Sequence, residues 1–189
     1  MATLNLHPSS TVSGNQNWGI DNGGSTADAV LSDTDDASFV KDGNQNQYCV
    51  VELDNFTATA DSITSIRWYI RAAYALTRSG TLEIQVVLGS GSHPPVSGSA
   101  DAYFSENVTI TFNGGYARQD YYGTARTTDG SSAWDATSLN SLGLDLNTTP
   151  EAPAVGGGPQ EQARIWRAYV EVTYSPIATD NAVFFGTNF

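Results

Sequence analysis

The sequence predicts an all-β protein, an antiparallel β-sandwich of jelly-roll-like topology with one short helix and extended terminal arms. Several runs alternate apolar with polar residues, as strands with one buried face do. These runs follow one another with Gly, Asn and Pro turn clusters between them and without intervening helices. Aromatic residues make up 11% of a chain that has 18 glycines, which favours strands and turns. A length of 189 residues fits one such domain.

The composition limits the partners that we expect. Twenty acidic residues against eight basic ones give a net charge of −12, and the basic residues form no cluster along the sequence. Binding to phosphates or to an anionic membrane needs clustered cations, so we expect no nucleic-acid and no membrane partner. The first ten residues lack the charged and apolar regions of a signal peptide, which predicts synthesis in a cytoplasm. Cys49, the single cysteine, lies in an apolar strand and is expected to be buried.

The N-terminal segment, residues 1–30, is predicted to be an arm. It is polar and rich in Gly and Asn, with one short strand candidate from Thr3 to His7. Trp18 is an isolated apolar residue that would anchor the arm. We expect the arm to lie over the body of the protein rather than to build it. An edge shared with a neighbouring chain is the alternative.

The sandwich domain is predicted over residues 31–175, with a β-hairpin from Ser62 to Leu88 at the centre of one sheet. Two long alternating runs joined by a short Gly-containing turn are typical of a hairpin. In the last strand, the alternation predicts that Trp166 faces the core. Further strands are expected over residues 38–41, 47–53, 106–112, 116–127, 144–146 and 162–174.

One short helix is predicted from Ser131 to Leu142. Ser131 or Ser132 would cap its N-terminus, and Gly143 would end it. The apolar spacing would let Trp134, Leu139 and Leu142 plug one end of the sandwich.

Residues 176–189 are predicted to be a C-terminal arm. Full burial of a large apolar side chain stabilises a protein by about 1.5–3 kcal/mol, so apolar groups on a terminal arm are costly to leave in water. We therefore expect the arm to dock on its own body or on a neighbouring copy, and we predict a homo-oligomer. The apolar anchors of this arm are Val183, Phe184, Phe185 and Phe189.

Asp33, Asp35 and Asp36 form an acidic cluster before a short strand and are candidates for calcium binding. Calcium takes six to eight oxygen ligands from closely spaced carboxylates and carbonyls. The D-x-D-D spacing lacks the Gly and the distal Glu of an EF-hand loop. The favoured interpretation is a solvated turn in which Asp side chains cap backbone amides, so we expect no metal and no cofactor.

Catalytic patterns are sparse, and we expect the protein not to be an enzyme. Ser or Cys catalysis needs a positioned histidine, and the chain has only His7 and His93. A glycosidase needs two carboxylates some 5–10 Å apart across a cleft. Hydrolysis stays a third hypothesis because four carboxylates lie in or beside predicted strands, namely Glu83, Glu106, Asp145 and Glu171.

Tyrosines at predicted outward positions are candidates for stacking on a sugar. Tyr116, Tyr121 and Tyr122 follow a polar loop, and Tyr69 and Tyr169 lie in the two longest predicted strands. Exposed tyrosines are equally typical of protein interfaces, because the ring is apolar and its hydroxyl remains hydrogen-bonded. A small lectin-like module is therefore an alternative function.

Four segments follow one another in a characteristic order. The first is an acidic segment before a short strand (SDTDDASFV, 32–40), and the second is a long strand with a D-x-I-x-x-I entry (DSITSIRWYIRAAYA, 61–75). The third leads to a short helix (DGSSAWDATSLNSLG, 129–143), and the fourth is a closing strand (YVEVTY, 169–174). This order resembles that of tailed-bacteriophage virion proteins over about residues 30–175. The resemblance implies a β-sandwich that decorates the capsid or belongs to the tail in several copies. It carries over no catalytic residues, and the two terminal arms depart from it.

Two functions are therefore expected from the sequence. The first is a non-enzymatic structural protein located in the virion, a capsid decoration protein or a tail component. Its partners would be other virion proteins and further copies of itself. The alternative is a carbohydrate-binding β-sandwich module, used for adhesion to a host-surface glycan.

Overall fold

The computed structural model of the chain describes residues 1–16, 18–21, 26–34, 36–41, 48–74, 80–88, 102–110, 117–148 and 163–178. These residues form two antiparallel sheets packed face to face, which confirms the predicted all-β sandwich. The core between the sheets contains aliphatic and aromatic side chains from both of them, such as Val51 and Leu82 from one and Ile66 and Trp68 from the other.

Eleven strands and two short helices lie within the described residues. The helices are α1 (Ala27–Ser32) and α2 (Ala136–Leu139). The strands are β1 (Ala2–Leu6), β2 (Pro8–Gln16), β3 (Gly19–Asp21), β4 (Phe39–Lys41), β5 (Tyr48–Leu53), β6 (Ala60–Tyr74), β7 (Gly80–Leu88), β8 (Ala102–Ile110), β9 (Gln119–Tyr122), β10 (Leu142–Thr148) and β11 (Ala163–Pro176). Neither helix in this part of the chain is long and apolar enough to cross a membrane.

The first sheet has the strand order β3-β4-β11-β6-β9, and β1 also pairs with β11. Strands β1 and β4 share one side of β11: β1 lies opposite residues 170–174, and β4 lies opposite residues 164–165. The second sheet has the order β2-β5-β10-β7-β8. The two longest strands, β6 and β11, pair with each other at the centre of the first sheet.

The predicted central hairpin is wrong, because β6 and β7 belong to different sheets. Strand β6 pairs with β11 and β9, whereas β7 pairs with β10 and β8. The predicted turn falls largely on residues 75–79, which lie outside the described residues. Alternation shows that one face of each strand is buried, but both sheets share one core. The pattern therefore could not show which strands pair.

The N-terminal segment builds the sandwich instead of lying over it. Strand β1 completes the first sheet, and β2 forms an edge of the second sheet. Helix α1 was not predicted, and it packs Ala27, Val30 and Leu31 into the core. Trp18 is 3% exposed and belongs to the same core, so it is an internal residue of the sandwich.

Helix α2 is much shorter than the predicted helix and is capped by a different residue. The Asp135 carboxylate accepts a 2.8 Å hydrogen bond from the Ser138 N–H, and the Asp135 N–H donates to the Ser138 hydroxyl at 3.1 Å. This reciprocal pair is a capping box and replaces the predicted serine caps. Trp134 is buried as expected, and its indole N–H donates to the carbonyl of Arg126 at 3.0 Å.

A bulge in β11 reverses the predicted orientation of Trp166. The register with β6 shifts between Ile165 and Arg167. Ile165 stays in the main core, so Trp166 lies on the outer face of the first sheet, where it packs against Phe39 and Ala73. Strict alternation fails here because a bulge inserts one extra residue into a strand.

Cys49 is fully buried in β5, as the sequence predicts. Burial raises the pKa of its thiol to about 12, and the nearby carboxylate of Asp145 adds to the effect. A thiol with this pKa stays protonated near neutral pH, so Cys49 acts as a small apolar group.

Candidate functional site

Three tyrosines stand in line on the outer face of the first sheet. In the sheet register, Tyr69 of β6 lies directly opposite Tyr169 of β11 on one side and Tyr122 of β9 on the other. The rings of Tyr69 and Tyr169 stack with centroids 4.3 Å apart and an interplanar angle of 17°. The rings of Tyr69 and Tyr122 meet edge to face at 5.1 Å. We call these three residues the tyrosine row.

The tyrosine row is buried at its centre and exposed at one end. Tyr69 is only 3% exposed, and its hydroxyl donates a 2.7 Å hydrogen bond to Asp120. Burial and this hydrogen bond raise the pKa of Tyr69, so the phenol stays neutral. Tyr122 is 49% exposed and lies on β9, the last strand of the sheet as described. The row therefore presents Tyr122 to solvent on a rigid support.

His7 extends the tyrosine row at its other end. Its ring centroid lies 5.4 Å from that of Tyr169. Burial lowers the pKa of His7 below its ordinary value, although Asp54 opposes the shift and Arg167 adds to it. The imidazole is therefore neutral near pH 7, and it prolongs the aromatic surface without adding charge.

Arg67 connects the exposed end of the row to a carboxylate. Its guanidinium lies 4.6 Å from the ring centroid of Tyr122, over one face of the ring. Its Nε donates a 2.7 Å hydrogen bond to Glu171, which lies opposite Arg67 in the β6–β11 register. Arg67 keeps 39% of its side chain exposed. A ring, a cation and an anion thus stand side by side at this surface.

A second charged group surrounds Asp36 beside the row. The Asp36 carboxylate lies 2.8 Å from Arg71 Nε, 3.6 Å from Arg118 Nη1 and 3.6 Å from Arg167 Nη2. Arg71 also lies 3.3 Å from Asp120, the partner of Tyr69. We call Arg71, Arg118 and Arg167 the arginine group.

The arginine group overturns the calcium hypothesis at Asp36. A carboxylate that already faces three guanidiniums does not recruit a cation. Asp33 contributes its backbone carbonyl to Arg167, at 3.1 Å, and Asp35 lies outside the described residues. Within the described part of the chain, no three His, Cys, Asp or Glu side chains are arranged to hold a metal ion. The Asp36 side chain is only 13% exposed, so at this residue the solvated turn does not hold.

Most of the basic residues of this acidic chain lie on the outer face of the first sheet. Val40, Ile70 and Ala168 point into the core, so the residues next to them in the strands, Lys41, Arg71 and Arg167, point outward. Arg118 and Arg164 lie on this face too, since their guanidiniums cover the outer rings of Trp166 and Phe39. Six of the eight basic residues of the chain share this face, namely Lys41, Arg67, Arg71, Arg118, Arg164 and Arg167.

The predicted sugar-binding tyrosines separate in the structure. Tyr122 belongs to the tyrosine row, whereas Tyr121 points inward and packs against the main core. Its hydroxyl donates to Gln119 at 3.1 Å, and its ring is partly buried on the face opposite to the tyrosine row. Tyr116 lies outside the described residues. Tyr69 and Tyr169, which the sequence also placed outward, complete the row.

The arginines of the site were missed from the sequence, although a signal was present. Residues 67–71 read R-W-Y-I-R, and residues 167–171 read R-A-Y-V-E. Each segment places a tyrosine between two charged residues on the same outward face. Pairing β6 with β11 in register brings the two patterns together, and that pairing was not predictable.

The four carboxylates considered for hydrolysis are held in different ways. Glu171 is paired with Arg67 on the outer face of the first sheet, and Glu106 is bound by Arg126 at 2.9 Å. Glu83 of the second sheet accepts hydrogen bonds from Gln85 and Ser105. Asp145 is fully buried on β10, and burial together with Glu83 raises its pKa to about 8.

A polar groove of about 540 Å³ lies where β5 and the residues after α2 meet. No aromatic ring lines it among the described residues, in contrast to the tyrosine row. Its polar lining would offer hydrogen bonds without a stacking surface. The lining residues are Ser9, Glu52, Leu53, Asp54, Asn55, Asn140, Ser141 and Leu142.

The sequence matches no protein-family model and no curated protein. Solved structures similar to this chain include the CBM36-1 domain of a multidomain xylanase from the hindgut metagenome of Trinervitermes trinervoides. That similarity has 11% identity and a TM-score of 0.47, and it covers 93% of this chain and 100% of that chain. TmCBM61, solved in complex with beta-1,4-galactotriose, is similar at 8% identity and a TM-score of 0.33, over 85% of this chain and 84% of that chain. Similarities this distant do not assign a ligand to this chain.

Proposed function

We propose that the protein is a non-enzymatic carbohydrate-binding β-sandwich module that contacts its glycan at Tyr122. The observation that carries this proposal is the exposed ring of Tyr122 at the end of a row of three tyrosines in register. A sugar offers apolar C–H faces and polar hydroxyls, and a tyrosine beside charged side chains can contact both kinds of group.

The tyrosine row favours binding because its geometry exists before the ligand arrives. Tyr122 rests edge to face on Tyr69, and Tyr69 is held by Asp120 and by the stacked ring of Tyr169. Little side-chain freedom is left to lose on binding, which improves affinity for a given contact area. Glu171, next to Arg67, offers a hydrogen-bond acceptor for sugar hydroxyls at the same edge.

The test is binding of the full chain to a glycan array, followed by titration calorimetry on the glycans that bind. Tyr122→Ala is expected to weaken binding about tenfold, whereas Tyr122→Phe keeps the ring and most of the affinity. Asn107→Ala, on the exposed face of β8, is the control and should bind normally. An array without any binding, or affinity unchanged in Tyr122→Ala, contradicts the proposal. Loss of binding in Asn55→Ala alone would place the site in the polar groove.

A structural role in the virion is the second candidate, and one feature of the surface favours it. Ala2 lies opposite Tyr174, so the start of β1 and the end of β11 meet at one end of the sandwich. Met1 is 91% exposed there and Ile177 is 51% exposed, which leaves apolar surface where the predicted C-terminal arm begins. The arm anchors lie outside the described residues, and their role stays a prediction.

Light scattering of the full chain at several concentrations tests the second candidate. A stable oligomer that dissociates when residues 177–189 are removed supports assembly through the arm. The deletion leaves every described strand intact, since β11 ends at Pro176. A full chain that is monomeric at all concentrations, or a truncated chain that assembles equally well, contradicts it.

A further inference from the structure

We infer that the glycan bound at Tyr122 is a carboxylated one, a uronic-acid polysaccharide whose carboxylate is taken by Arg67. This inference rests on the proposed function and names the chemistry of its ligand. It starts from the distribution of charge, since a chain of net charge −12 holds six of its eight basic residues on the face that carries the tyrosine row.

The position of Arg67 relative to Tyr122 specifies the ligand. The guanidinium lies over the Tyr122 ring, so a group bound to one of them is adjacent to the other. Arginine carries five N–H donors, and the contact with Glu171 uses the one on Nε. The side chain is 39% exposed, which gives a ligand access to the guanidinium. A sugar ring on Tyr122 would thus place an attached carboxylate within reach of Arg67.

The face already binds carboxylates of its own chain. Arg67 donates a 2.7 Å hydrogen bond to the carboxylate of Glu171, and the carboxylate of Asp36 lies within ion-pair distance of the arginine group. Guanidinium and carboxylate match in geometry, and their charge-assisted hydrogen bonds are stronger than neutral ones. These internal pairs indicate that an external carboxylate fits the same surface.

A uronic-acid polysaccharide fits this face better than a nucleic acid does. The strongly acidic remainder of the chain repels duplex DNA, which carries one charge per about 1.7 Å of its axis, more strongly than a polymer with at most one carboxylate per sugar. A uronic acid carries one carboxylate per sugar and keeps an apolar ring face for Tyr122. An acidic peptide would satisfy the arginines but would not require an exposed aromatic ring.

Two pairs of polymers measure the contribution of the carboxylate to binding. They are polygalacturonate and hyaluronan, each compared with its carboxyl-reduced form. We expect the full chain to bind at least one acidic polymer about tenfold more tightly than the reduced polymer, and to lose this preference between 50 mM and 500 mM NaCl. Arg67→Gln should abolish the preference, measured as the ratio of the dissociation constants for the reduced and the acidic polymer. Glu171→Gln, which removes the competing carboxylate, should increase the preference.

Asn107→Asp is the charge-matched control, since it also lowers the net charge by one but lies on the other sheet. It should leave the preference unchanged. Equal affinity for acidic and reduced polymers, or a preference that Arg67→Gln does not alter, overturns the inference and leaves the proposed function standing. Failure to bind any glycan overturns both. Tighter binding to duplex DNA or to polyglutamate than to polygalacturonate and hyaluronan overturns the inference in favour of a nucleic-acid or acidic-peptide partner.

Discussion

The indole Nε1 of Trp68 donates a 2.9 Å hydrogen bond to the carboxylate of Glu106, and this bond joins the two sheets. Trp68 belongs to β6 of the first sheet, and Glu106 belongs to β8, an edge strand of the second sheet. The same carboxylate accepts from the N–H of Thr124 and from Arg126, each at 2.9 Å. One acidic side chain thus fastens the edge of the sandwich at which β8 and the residues after β9 meet.

Glu106→Ala is expected to destabilise the protein by about 1–3 kcal/mol, because it leaves the buried indole N–H without its acceptor. Urea unfolding followed by Trp fluorescence measures the change. Asn107→Ala, the next residue on the same strand with an exposed side chain, should cost far less. Equal stability of the two variants would show that the carboxylate does not hold the edge.

The stabilisation by Glu106 should also depend on pH. Burial raises the pKa of this carboxyl group, but the hydrogen bonds from Thr124 and Arg126 outweigh it, and the pKa is lowered overall. The folded state therefore keeps the carboxylate ionised to lower pH than the unfolded state does. Its contribution is present above the unfolded pKa of 4.5 and is lost as the pH falls through the folded pKa. The stability gap between the wild type and Glu106→Gln should narrow below about pH 4.5, as urea unfolding at pH 7, 5 and 3.5 would show.

Gly123→Ala is expected to disturb the same edge by overpacking. A Cβ at Gly123 would overlap with Trp68 Nε1 and lie 2.7 Å from Glu106 Oε2, so both groups would have to move. We expect a loss of about 1–3 kcal/mol in the free energy of unfolding. Gly19→Ala is the control, because its Cβ would meet ordinary contacts of 3.6 Å or longer. A Gly123→Ala variant as stable as Gly19→Ala would contradict this account.

The elements predicted correctly are those in which local pattern and burial agree. Strands β6 and β11 alternate over many residues, and their inward side chains Ile66, Ile70 and Val170 are fully or almost fully buried. The fold class follows from this, because long alternating runs need a partner sheet to cover their apolar faces. The burial of Trp134, which is 4% exposed, was predicted correctly for the same reason.

The pairing of strands and the arginine group could not be read from the sequence. Asp36 meets Arg71, Arg118 and Arg167, which are 35, 82 and 131 positions away along the chain. Such contacts depend on sheet order and register, and local periodicity contains neither. Basic residues that form no run in the sequence can therefore still lie together in the structure.

Asp36→Asn is expected to destabilise the protein by about 1–2 kcal/mol at low salt, because it leaves three guanidiniums without their shared carboxylate. The substitution removes the negative charge without straining the backbone, because Asp36 has a φ of 57° and Asn tolerates this conformation well. Urea unfolding at 50 mM and 1 M NaCl measures the effect. Salt screens the repulsion among the arginines, so the difference from wild type should shrink at 1 M. A difference that does not respond to salt would contradict an electrostatic origin.

The free energy of unfolding of Asp145→Asn, relative to wild type, should be higher at high pH than at low pH. The Asp145 carboxyl group faces Gln85 and Val50 across the neighbouring strands, and neither of its oxygens has a hydrogen-bond partner in the described structure. Burial, together with the charge of Glu83, raises its pKa from 3.8 to about 8. The side chain therefore remains protonated in the folded state at a pH where the unfolded chain has already ionised.

The direction of the effect follows from proton linkage. Between pH 4 and pH 8 the folded state holds a proton that the unfolded state has released, so wild-type stability falls as the pH rises, by up to about 1.4 kcal/mol per pH unit. The Asp145→Asn variant has no carboxyl group at this position, so this loss of stability with rising pH is absent from it. Its free energy of unfolding relative to wild type should therefore increase from pH 4 to pH 8 and level off above pH 8. Urea titrations across this range measure the difference, with the exposed Asp61→Asn variant as the control for removing a carboxylate. A constant difference between Asp145→Asn and wild type would show that Asp145 ionises equally well in the folded and unfolded states.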